Sequence, residues 1–300
     1  MTDPIRAFVF GLGYSATALG RTLRGHVAAI GGTVRQSERE VALAAEGFAP
    51  IVFTGEAPSI AVRKALEGTT HLLCSIPPGE AGDPALLHHR ADIVAAPALA
   101  WIGYLSTVGV YGRYGGAWVG ERTTPHPAPG RATARLAAER AWREVAAERG
   151  IPAAIFRIAG IYGPGRNPLV NLAEGKAHRI VKPGQVFNRI HVDDIATATA
   201  AALRARAEGM FNLTDDEPSP ADDVITYAAN LMGVVPPPAV AFEEADLSPM
   251  ARSFYDGNKR VLNRRLKQDL GVTLRYPTYR DGLTALWREG TWRARNPDVA

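Results

Sequence analysis

The chain has 300 residues, of which 46% are hydrophobic, and a formal net charge of +4. This composition allows a large buried core in one domain or slightly more. The basic residues are dispersed, with no run of five or more, so the sequence predicts no nucleic-acid surface. A single cysteine, Cys74, excludes an internal disulfide and a cysteine-rich zinc site, and it fits a reducing compartment. We therefore predict no metal site.

No apolar stretch approaches the ~18 residues that a membrane-spanning helix needs. Asp3 and Pro4 precede a short apolar run that ends in glycines, which is typical of a first strand and not of a signal peptide. We expect a soluble, cytoplasmic protein that does not bind membranes.

Short β-branched runs alternate with alanine-rich helical segments through the first half of the chain. The predicted strands are 7–10, 32–35, 50–54, 71–75, 101–106 and 153–158, and the predicted helices include 15–25, 59–67 and 132–148. This alternation predicts an α/β fold, a doubly wound parallel (Rossmann) sheet covered on both faces. Ligands in such sheets bind beyond the carboxyl ends of the strands.

The first predicted strand leads into a glycine turn that opens a helix. Gly11 allows the tight turn, Gly13 lets the backbone approach a pyrophosphate, and Ala16 permits close packing of helix on strand. The helix start offers unpaired N–H groups and a positive dipole end to phosphates, to which Ser15 adds a hydroxyl. In a βαβ unit this pattern predicts dinucleotide binding. The residues expected to line the cofactor here, and after the fourth strand, are Gly11, Leu12, Gly13, Tyr14, Ser15, Ala16, Ser75, Ile76 and Pro77.

The end of the second predicted strand bears on the choice of cofactor. An NAD-selective site places an acidic residue there to bond the ribose 2′-hydroxyl, and this chain has no carboxylate before Glu38. Arg35 can pair with a 2′-phosphate and stack on adenine, assisted by Ser37 or Arg39, and Gln36 is expected to lie against the same cofactor. The alternative is an ordinary exposed arginine at a strand end. The pattern favours NADP over NAD.

The alternation of strands and helices weakens after residue 162. A Gly-Pro-Gly turn at 163–165 precedes a predicted helix at 192–206 and a short strand at 210–213. Asp193 or Asp194 lies at the start of this helix, and Asp193 is expected to cap it. The predicted units are an NADP-binding Rossmann domain of residues 1–162, with 189–214 returning to it, and a smaller substrate-binding lobe of residues 163–188 and 215–300.

Several segments resemble, in order along the chain, the extended short-chain dehydrogenase/reductase superfamily, specifically its NAD-dependent epimerase/dehydratase group. These segments are YLSTVGVYG at 104–112, RIAGIYGPG at 157–165, RIHVDDIA at 189–196, FNL at 211–213, and 258–271 followed by YRDGL at 279–283. The resemblance implies a nicotinamide that passes Ala159 and Gly160. It also implies a homodimer formed through helices of the dinucleotide domain, for which the helix at 132–148 is a candidate; an ordinary covered helix would have the same composition.

The resemblance further implies a catalytic Ser/Thr and a Tyr-x-x-x-Lys helix. Thr107 occupies the Ser/Thr position, with Ser106 beside it, and alignment on Glu139 places Arg131 at the Tyr position and Arg135 at the Lys position. Arg135 can still hold ribose hydroxyls. Arg131 cannot act as an acid because a guanidinium stays protonated, although it can stabilise an oxyanion. The chain thus resembles an atypical subgroup that lacks the dyad.

Other tyrosines are candidate substitutes for the missing acid. Tyr111 and Tyr162 lie just beyond predicted strand ends, where packing is the alternative role for each. Relatives that act on nucleotide sugars carry an arginine where this chain has Phe187, with the arginine displaced to Arg189, so a UDP-sugar substrate is unsupported.

The sequence leads to two functions of different classes. The first is an NADP-dependent oxidoreductase or epimerase-like enzyme with a degenerate dyad, acting on a small polar, sugar-like molecule that Thr107 orients. The alternative is a non-catalytic NADP-binding redox sensor or partner-binding module, which would keep the glycine turn and Arg35 while losing the dyad. The sequence leaves the choice open.

Overall fold

The computed structural model describes residues 4–293. Its strands are β1 (Arg6–Phe10), β2 (Ala29–Val34), β3 (Ala49–Val52), β4 (His71–Cys74), β5 (Trp101–Thr107), β6 (Trp118–Val119), β7 (Ala153–Ile158), β8 (Gly160–Tyr162), β9 (Arg179–Val181), β10 (Arg189–His191), β11 (Gly209–Leu213), β12 (Ala239–Ala241) and β13 (Arg260–Val261). Its α-helices are α1 (Tyr14–Leu23), α2 (Ser37–Ala45), α3 (Ile60–Glu67), α4 (Pro84–Ala95), α5 (Arg131–Arg149), α6 (Pro168–Ala173), α7 (Val192–Ala205), α8 (Ala221–Met232), α9 (Pro249–Ser253), α10 (Arg264–Gln268) and α11 (Tyr279–Arg288). A 3₁₀ turn, Val108–Tyr111, follows β5 directly.

Seven strands form one parallel sheet in the order β11-β7-β5-β4-β1-β2-β3. The strand order reverses between β1 and β4, so the crevice beyond their carboxyl ends is where a ligand of such a sheet binds. This arrangement confirms the predicted doubly wound α/β fold.

The central strands are buried on both faces. Every residue of β4 and β7 is buried, because helices cover both faces of the sheet at these two strands. One apolar core lies under α1 and α7 and includes Leu19 and Leu203. A second core lies on the opposite face under α3, α4 and α5 and includes Val62, Ile93 and Trp142.

A smaller set of elements lies beyond the carboxyl ends of the strands. Three two-stranded parallel pairs, β8 with β10, β9 with β12 and β6 with β13, lie outside the main sheet. A third apolar cluster, which includes Tyr162, Leu169 and Leu283, joins α6, α8 and α11. Strand β11 adds to the edge of the main sheet beside β7. The proposed domain boundaries and the pairing of α5 in a dimer stay predictions.

The start of α7 differs from the sequence-based expectation. The N-cap is His191, whose Nδ1 accepts a hydrogen bond from the backbone N–H of Asp193 at 3.2 Å, so Asp193 is not the cap. Asp194 instead accepts hydrogen bonds from the backbone N–H groups of Arg275 and Tyr276. These contacts tie the start of α7 to the segment that leads into α11.

Within residues 4–293, no helix combines the length and the apolar character required to cross a membrane.

Candidate cofactor and active site

The glycine turn after β1 has a conformation that depends on its first glycine. Gly11 has a φ of +91°, and a Cβ built on it would lie 2.6 Å from Cγ2 of Ile76. The backbone N–H of Gly11 donates to Oγ1 of Thr33, and that of Leu12 donates to the carbonyl of Thr33. The turn is therefore fixed between β2 and the segment after β4, and only glycine fits at its first position.

No atom of residues 4–293 fills the space beside Gly13. A Cβ built on Gly13 would meet no atom within 4 Å, and Gly13 is exposed at the start of α1. This helix has no side-chain cap and no acidic residue in its first turn. Its first N–H groups and the positive end of its dipole are open to an anion, which is the arrangement that binds a pyrophosphate.

A cavity of about 460 Å³ lies along this turn at the carboxyl ends of β1, β2 and β4. Its lining residues include most of the predicted cofactor contacts: Gly11, Leu12, Gly13, Tyr14, Arg35, Gln36, Ser75, Ile76 and Pro77. Among the predicted contacts, Ser15, Ala16, Ser37, Arg135, Ala159 and Gly160 are not part of this lining. Ala16 is buried in the core under α1. The open helix start, the cavity and the bare Gly13 together fit a dinucleotide.

Arg35 lies at the edge of this cavity, one residue beyond β2. The residue is exposed, and no acidic residue within the described part of the chain forms an ion pair with it. Arg39 also lines the cavity, from the first turn of α2. The end of the cavity beside β2 is therefore basic, and none of the residues that line the cavity carries a carboxylate.

The opposite end of the site lies beyond β5 and β7, where the resemblance places the nicotinamide. Thr107 pairs with Ile158 in the sheet, so the ends of these two strands are adjacent. Oγ1 of Thr107 accepts a hydrogen bond from the backbone N–H of Gly109 at 3.0 Å and caps the 3₁₀ turn. Gly160 is exposed just beyond β7, and Ala159 is buried.

Ser106 belongs to a buried charged network under this end of the sheet. Its hydroxyl donates to Oε1 of Glu139 on α5 at 2.5 Å. Arg157 on β7 donates to both oxygens of Glu139, from Nε at 3.1 Å and from Nη2 at 2.8 Å. The two side chains of this ion pair are 2% and 4% exposed. Ser106 thus has a partner inside the protein.

The candidate tyrosines also have partners inside the protein. Tyr111 is fully buried, and its hydroxyl donates to Oδ1 of Asn212 at 2.8 Å. Its ring lies against the guanidinium of Arg157 at 4.8 Å. The hydroxyl of Tyr162 donates to the carbonyl of Thr278 at 3.4 Å. Burial raises the pKa of both phenols.

The two arginines at the dyad positions lie on the first two turns of α5. Arg131 is its exposed first residue, with the guanidinium 6.0 Å from the ring centre of Phe254, which follows α9. Nη1 of Arg135 donates to the carbonyl of Leu105 at 2.6 Å and to the hydroxyl of Tyr104 at 3.4 Å. Arg135 therefore ties α5 to β5 close to Thr107. Whether these residues act in catalysis stays a prediction.

Lys259 is a buried residue close to the end of β5 that the sequence-based reasoning missed. The residue is 7% exposed, and its Nζ donates to the carbonyl of Gly112 at 3.2 Å, directly after the 3₁₀ turn. The sequence offered one signal, because Tyr255 and Lys259 have the spacing of a Tyr-x-x-x-Lys pair. On a helix that spacing would bring the two side chains together, but residues 254–259 are not helical, and the Tyr255 ring packs on Phe187 instead.

Comparisons with known proteins agree with this geometry. A model of the NAD dependent epimerase/dehydratase family matches residues 95–214. A 3-diazoavenalumate denitrifying reductase from a Streptomyces species is 29% identical over 169 residues, which is 52% of this chain. The match spans 54% of the length of that curated relative.

Solved structures match over nearly the whole chain. A functionally unknown conserved protein from Silicibacter pomeroyi is 47% identical, covers 95% of this chain and 99% of its own, and has a TM-score of 0.86. The UDP-glucuronic acid 4-epimerase of Bacillus cereus, solved with NAD, is 17% identical, covers 96% of this chain and 100% of its own, and has a TM-score of 0.74. The second likeness is one of fold.

Proposed function

We propose that this chain, whose residues 95–214 match the NAD dependent epimerase/dehydratase family model, is an NADP-dependent oxidoreductase that reduces a small polar carbonyl compound. The observation that carries the choice of cofactor is the end of β2. There the exposed Arg35 borders the cavity, and no acidic residue lines it to bond a ribose 2′-hydroxyl. A guanidinium presents a planar fork of donors that suits a phosphate.

The residues of the chain would hold the cofactor in three places. The first turn of α1 and the bare Gly13 would take the pyrophosphate. Arg35 would take the 2′-phosphate and the face of the adenine. Ser75 to Pro77 would follow the chain of the cofactor toward Thr107 and Gly160. When bound, the reduced nicotinamide supplies a hydride.

Reductase chemistry is favoured over epimerase chemistry by two observations. The relative from Streptomyces is described as a reductase, although the match spans only about half of it. In addition, Phe187 occupies the position at which the nucleotide-sugar enzymes of the resemblance carry an arginine, and its ring packs against Tyr255. The first observation favours reductase chemistry, and the second favours a substrate other than a nucleotide sugar.

The test of the cofactor assignment is a calorimetric titration of Arg35→Ala with NADPH and NADH. The variant removes a hydrogen-bonded charge pair that contributes ~1.5–3 kcal/mol to binding, so NADPH should bind about 10- to 100-fold more weakly. NADH binding should weaken by only about two- to fivefold, since NADH has no 2′-phosphate and loses only the stacking of Arg35 on the adenine, worth ~0.5–1 kcal/mol. The matched control is Arg140→Ala, at an exposed arginine of α5 outside the cavity, which should change neither affinity. An equal loss for both cofactors in Arg35→Ala would overturn the assignment.

A redox sensor remains the second candidate because both dyad positions hold arginine. The two functions differ in what bound NADPH does. The reductase oxidises NADPH when a reactive dicarbonyl such as 9,10-phenanthrenequinone is added. A sensor binds NADPH with the same preference and leaves it reduced.

A further inference from the structure

Lys259 is a buried cation with little compensation from the protein. Within residues 4–293 no carboxylate lies within 4.0 Å of its ammonium, and the contact found there is the carbonyl of Gly112. An ammonium has three donors, so two remain for another acceptor. Burial alone lowers the pKa of Lys259 to about 8. A lysine in this state can give up a proton near neutral pH.

The position of Lys259 is fixed at the carboxyl ends of two adjacent strands. Its own carbonyl accepts a hydrogen bond from Nδ2 of Asn188 at 3.0 Å, and the carbonyl of Asn188 accepts one from the backbone N–H of Gly160 at 3.0 Å. Its ammonium contacts Gly112, at the end of the turn that Thr107 caps. Lys259 is thus held between the residues that flank the expected nicotinamide site.

One glycine makes room for this ammonium, and a second allows the backbone conformation that presents the carbonyl it contacts. Gly112 has a φ of +74°, and a Cβ on it would lie 1.8 Å from the carbonyl oxygen of His126. A Cβ on Gly257 would lie 3.2 Å from Nζ of Lys259. The loop of the smaller lobe therefore passes close enough for the lysine side chain to reach the end of β5.

The other candidates for a proton donor are less suited to the task. Arg131 and Arg135 keep their protons at any working pH. The hydroxyl of Tyr111 donates a hydrogen bond to Oδ1 of Asn212, and burial raises the pKa of this phenol. The phenol of Tyr162 is likewise buried, and it donates to Thr278. None of these four side chains is a proton donor that lies at the end of β5 and titrates near neutral pH.

We propose that Lys259 is the proton donor for the substrate carbonyl, in place of the tyrosine that α5 lacks; the proposal rests on the reductase function given above. As the carbonyl carbon gains the hydride, the C=O π bond breaks and the oxygen takes a proton from Nζ. One N–H bond breaks and one O–H bond forms, which leaves a neutral amine that regains its proton from water. The nicotinamide cofactor is the two-electron reductant, so electrons and protons balance.

The first experiment tests the position of Lys259 without turnover. Lysine side chains are labelled by reductive [¹³C]methylation and titrated by NMR in the NADPH and NADP⁺ complexes, with the Lys259 signal assigned by its absence in Lys259→Met. Because the oxidised nicotinamide ring carries one positive charge more, a nearby ammonium should have a pKa lower by at least about one in the NADP⁺ complex. Lys176, exposed and paired with Glu174, is the control and should titrate identically in both complexes. Equal pKa values for Lys259 in the two complexes would overturn the proposal.

The second experiment tests the proton transfer. With 9,10-phenanthrenequinone as the acceptor, Lys259→Met should lose about 100-fold or more of NADPH oxidation while its calorimetric affinity for NADPH stays within about twofold. Lys259→Arg keeps the positive charge but cannot release a proton, so it should be as slow as Lys259→Met. Wild-type turnover in either variant would overturn the proposal. Failure of the wild-type protein to bind NADPH would instead contradict the proposed function, which calorimetry reports separately.

Discussion

The buried ion pair between Glu139 and Arg157 makes a quantitative prediction about stability. Glu139→Gln keeps the size of the side chain and one hydrogen-bond acceptor, but it leaves Arg157 as an unpaired charge that is 2% exposed. Although burial alone would lower the pKa of Arg157, its hydrogen bonds to Glu139 raise it, as expected for a cation stabilised by its partner. Breaking such a pair typically costs ~3–5 kcal/mol. That loss is between about a fifth and the whole of a typical folding stability of ~5–15 kcal/mol.

The assay is urea unfolding followed by tryptophan fluorescence, since Trp142 lies on the same helix as Glu139. The midpoint for Glu139→Gln should fall by roughly 1–3 M relative to the wild type. Glu148→Gln is the matched control, because Glu148 also lies on α5 but pairs with Arg90 at the surface, where the two side chains are 45% and 49% exposed. Exposed pairs contribute ~0–1 kcal/mol, so this variant should unfold close to the wild type.

A double variant tests the same reasoning from the opposite direction. Glu139→Leu combined with Arg157→Met removes both charges and should recover most of the stability that Glu139→Gln loses, since apolar groups of similar volume can replace a buried pair. A cost below about 1 kcal/mol for Glu139→Gln, equal to that of Glu148→Gln, would refute the argument that burial sets the energy of this pair.

Three further predictions follow from the same contacts. Gly13→Ala should weaken NADPH binding at least about tenfold in calorimetry but leave the free energy of unfolding within ~0.5 kcal/mol of the wild type. Gly11→Ala should weaken binding too and, in urea unfolding, also destabilise the fold by ~1–3 kcal/mol. Burial lowers the pKa of His191 from 6.5 to about 3. The stability that the neutral imidazole contributes to the fold is therefore fully present above pH 6.5 and is lost as the pH falls toward 3. From pH 7 to pH 5, wild-type stability relative to His191→Asn, a non-titrating N-cap, should therefore fall by ~2 kcal/mol; equal pH dependence of the two proteins would contradict this. Tyr111→Phe should cost ~1–3 kcal/mol by leaving Asn212 without its donor but keep the rate of NADPH oxidation, and a 100-fold slower rate would instead place Tyr111 at the substrate.

The main sheet could be predicted from the sequence because each buried parallel strand is a short, almost continuous apolar run. The predicted strand at 153–158 has the observed bounds, and the predicted 101–106 ends one residue before β5 does. The bounds of β2 were less accurate, since Ala29 to Gly32 contains two glycines and resembles a turn. Its place in the sheet comes from pairing with β1 and β3.

The glycine turn could be read from the sequence because its function depends on local geometry. The positive φ of Gly11 and the open space at Gly13 arise within one strand–turn–helix unit. The pairing of Glu139 with Arg157 could not be read in this way. Charged residues are rarely buried, and their partnership depends on how α5 packs against β7.

Lys259 shows the same limit at the candidate active site. Its burial depends on a loop of the smaller lobe that reaches Gly112, which lies 147 positions earlier in the chain. The cap of α7 was missed for a different reason, because His191 accepts a hydrogen bond from the backbone N–H of Asp193, only two positions further along the chain. A contact between distant segments decides the burial of Lys259, and residue spacing alone does not report it.

The central claim is that the cavity along the glycine turn binds NADP(H) in preference to NAD(H). A calorimetric titration of the purified wild-type protein with NADPH and then with NADH tests it most directly. The account predicts that NADPH binds at least about tenfold more tightly, the ratio that a charge-assisted contact of ~1.5–3 kcal/mol with the 2′-phosphate would give. Equal or tighter binding of NADH would contradict the role given to Arg35, and no binding of either cofactor would contradict the proposed function itself.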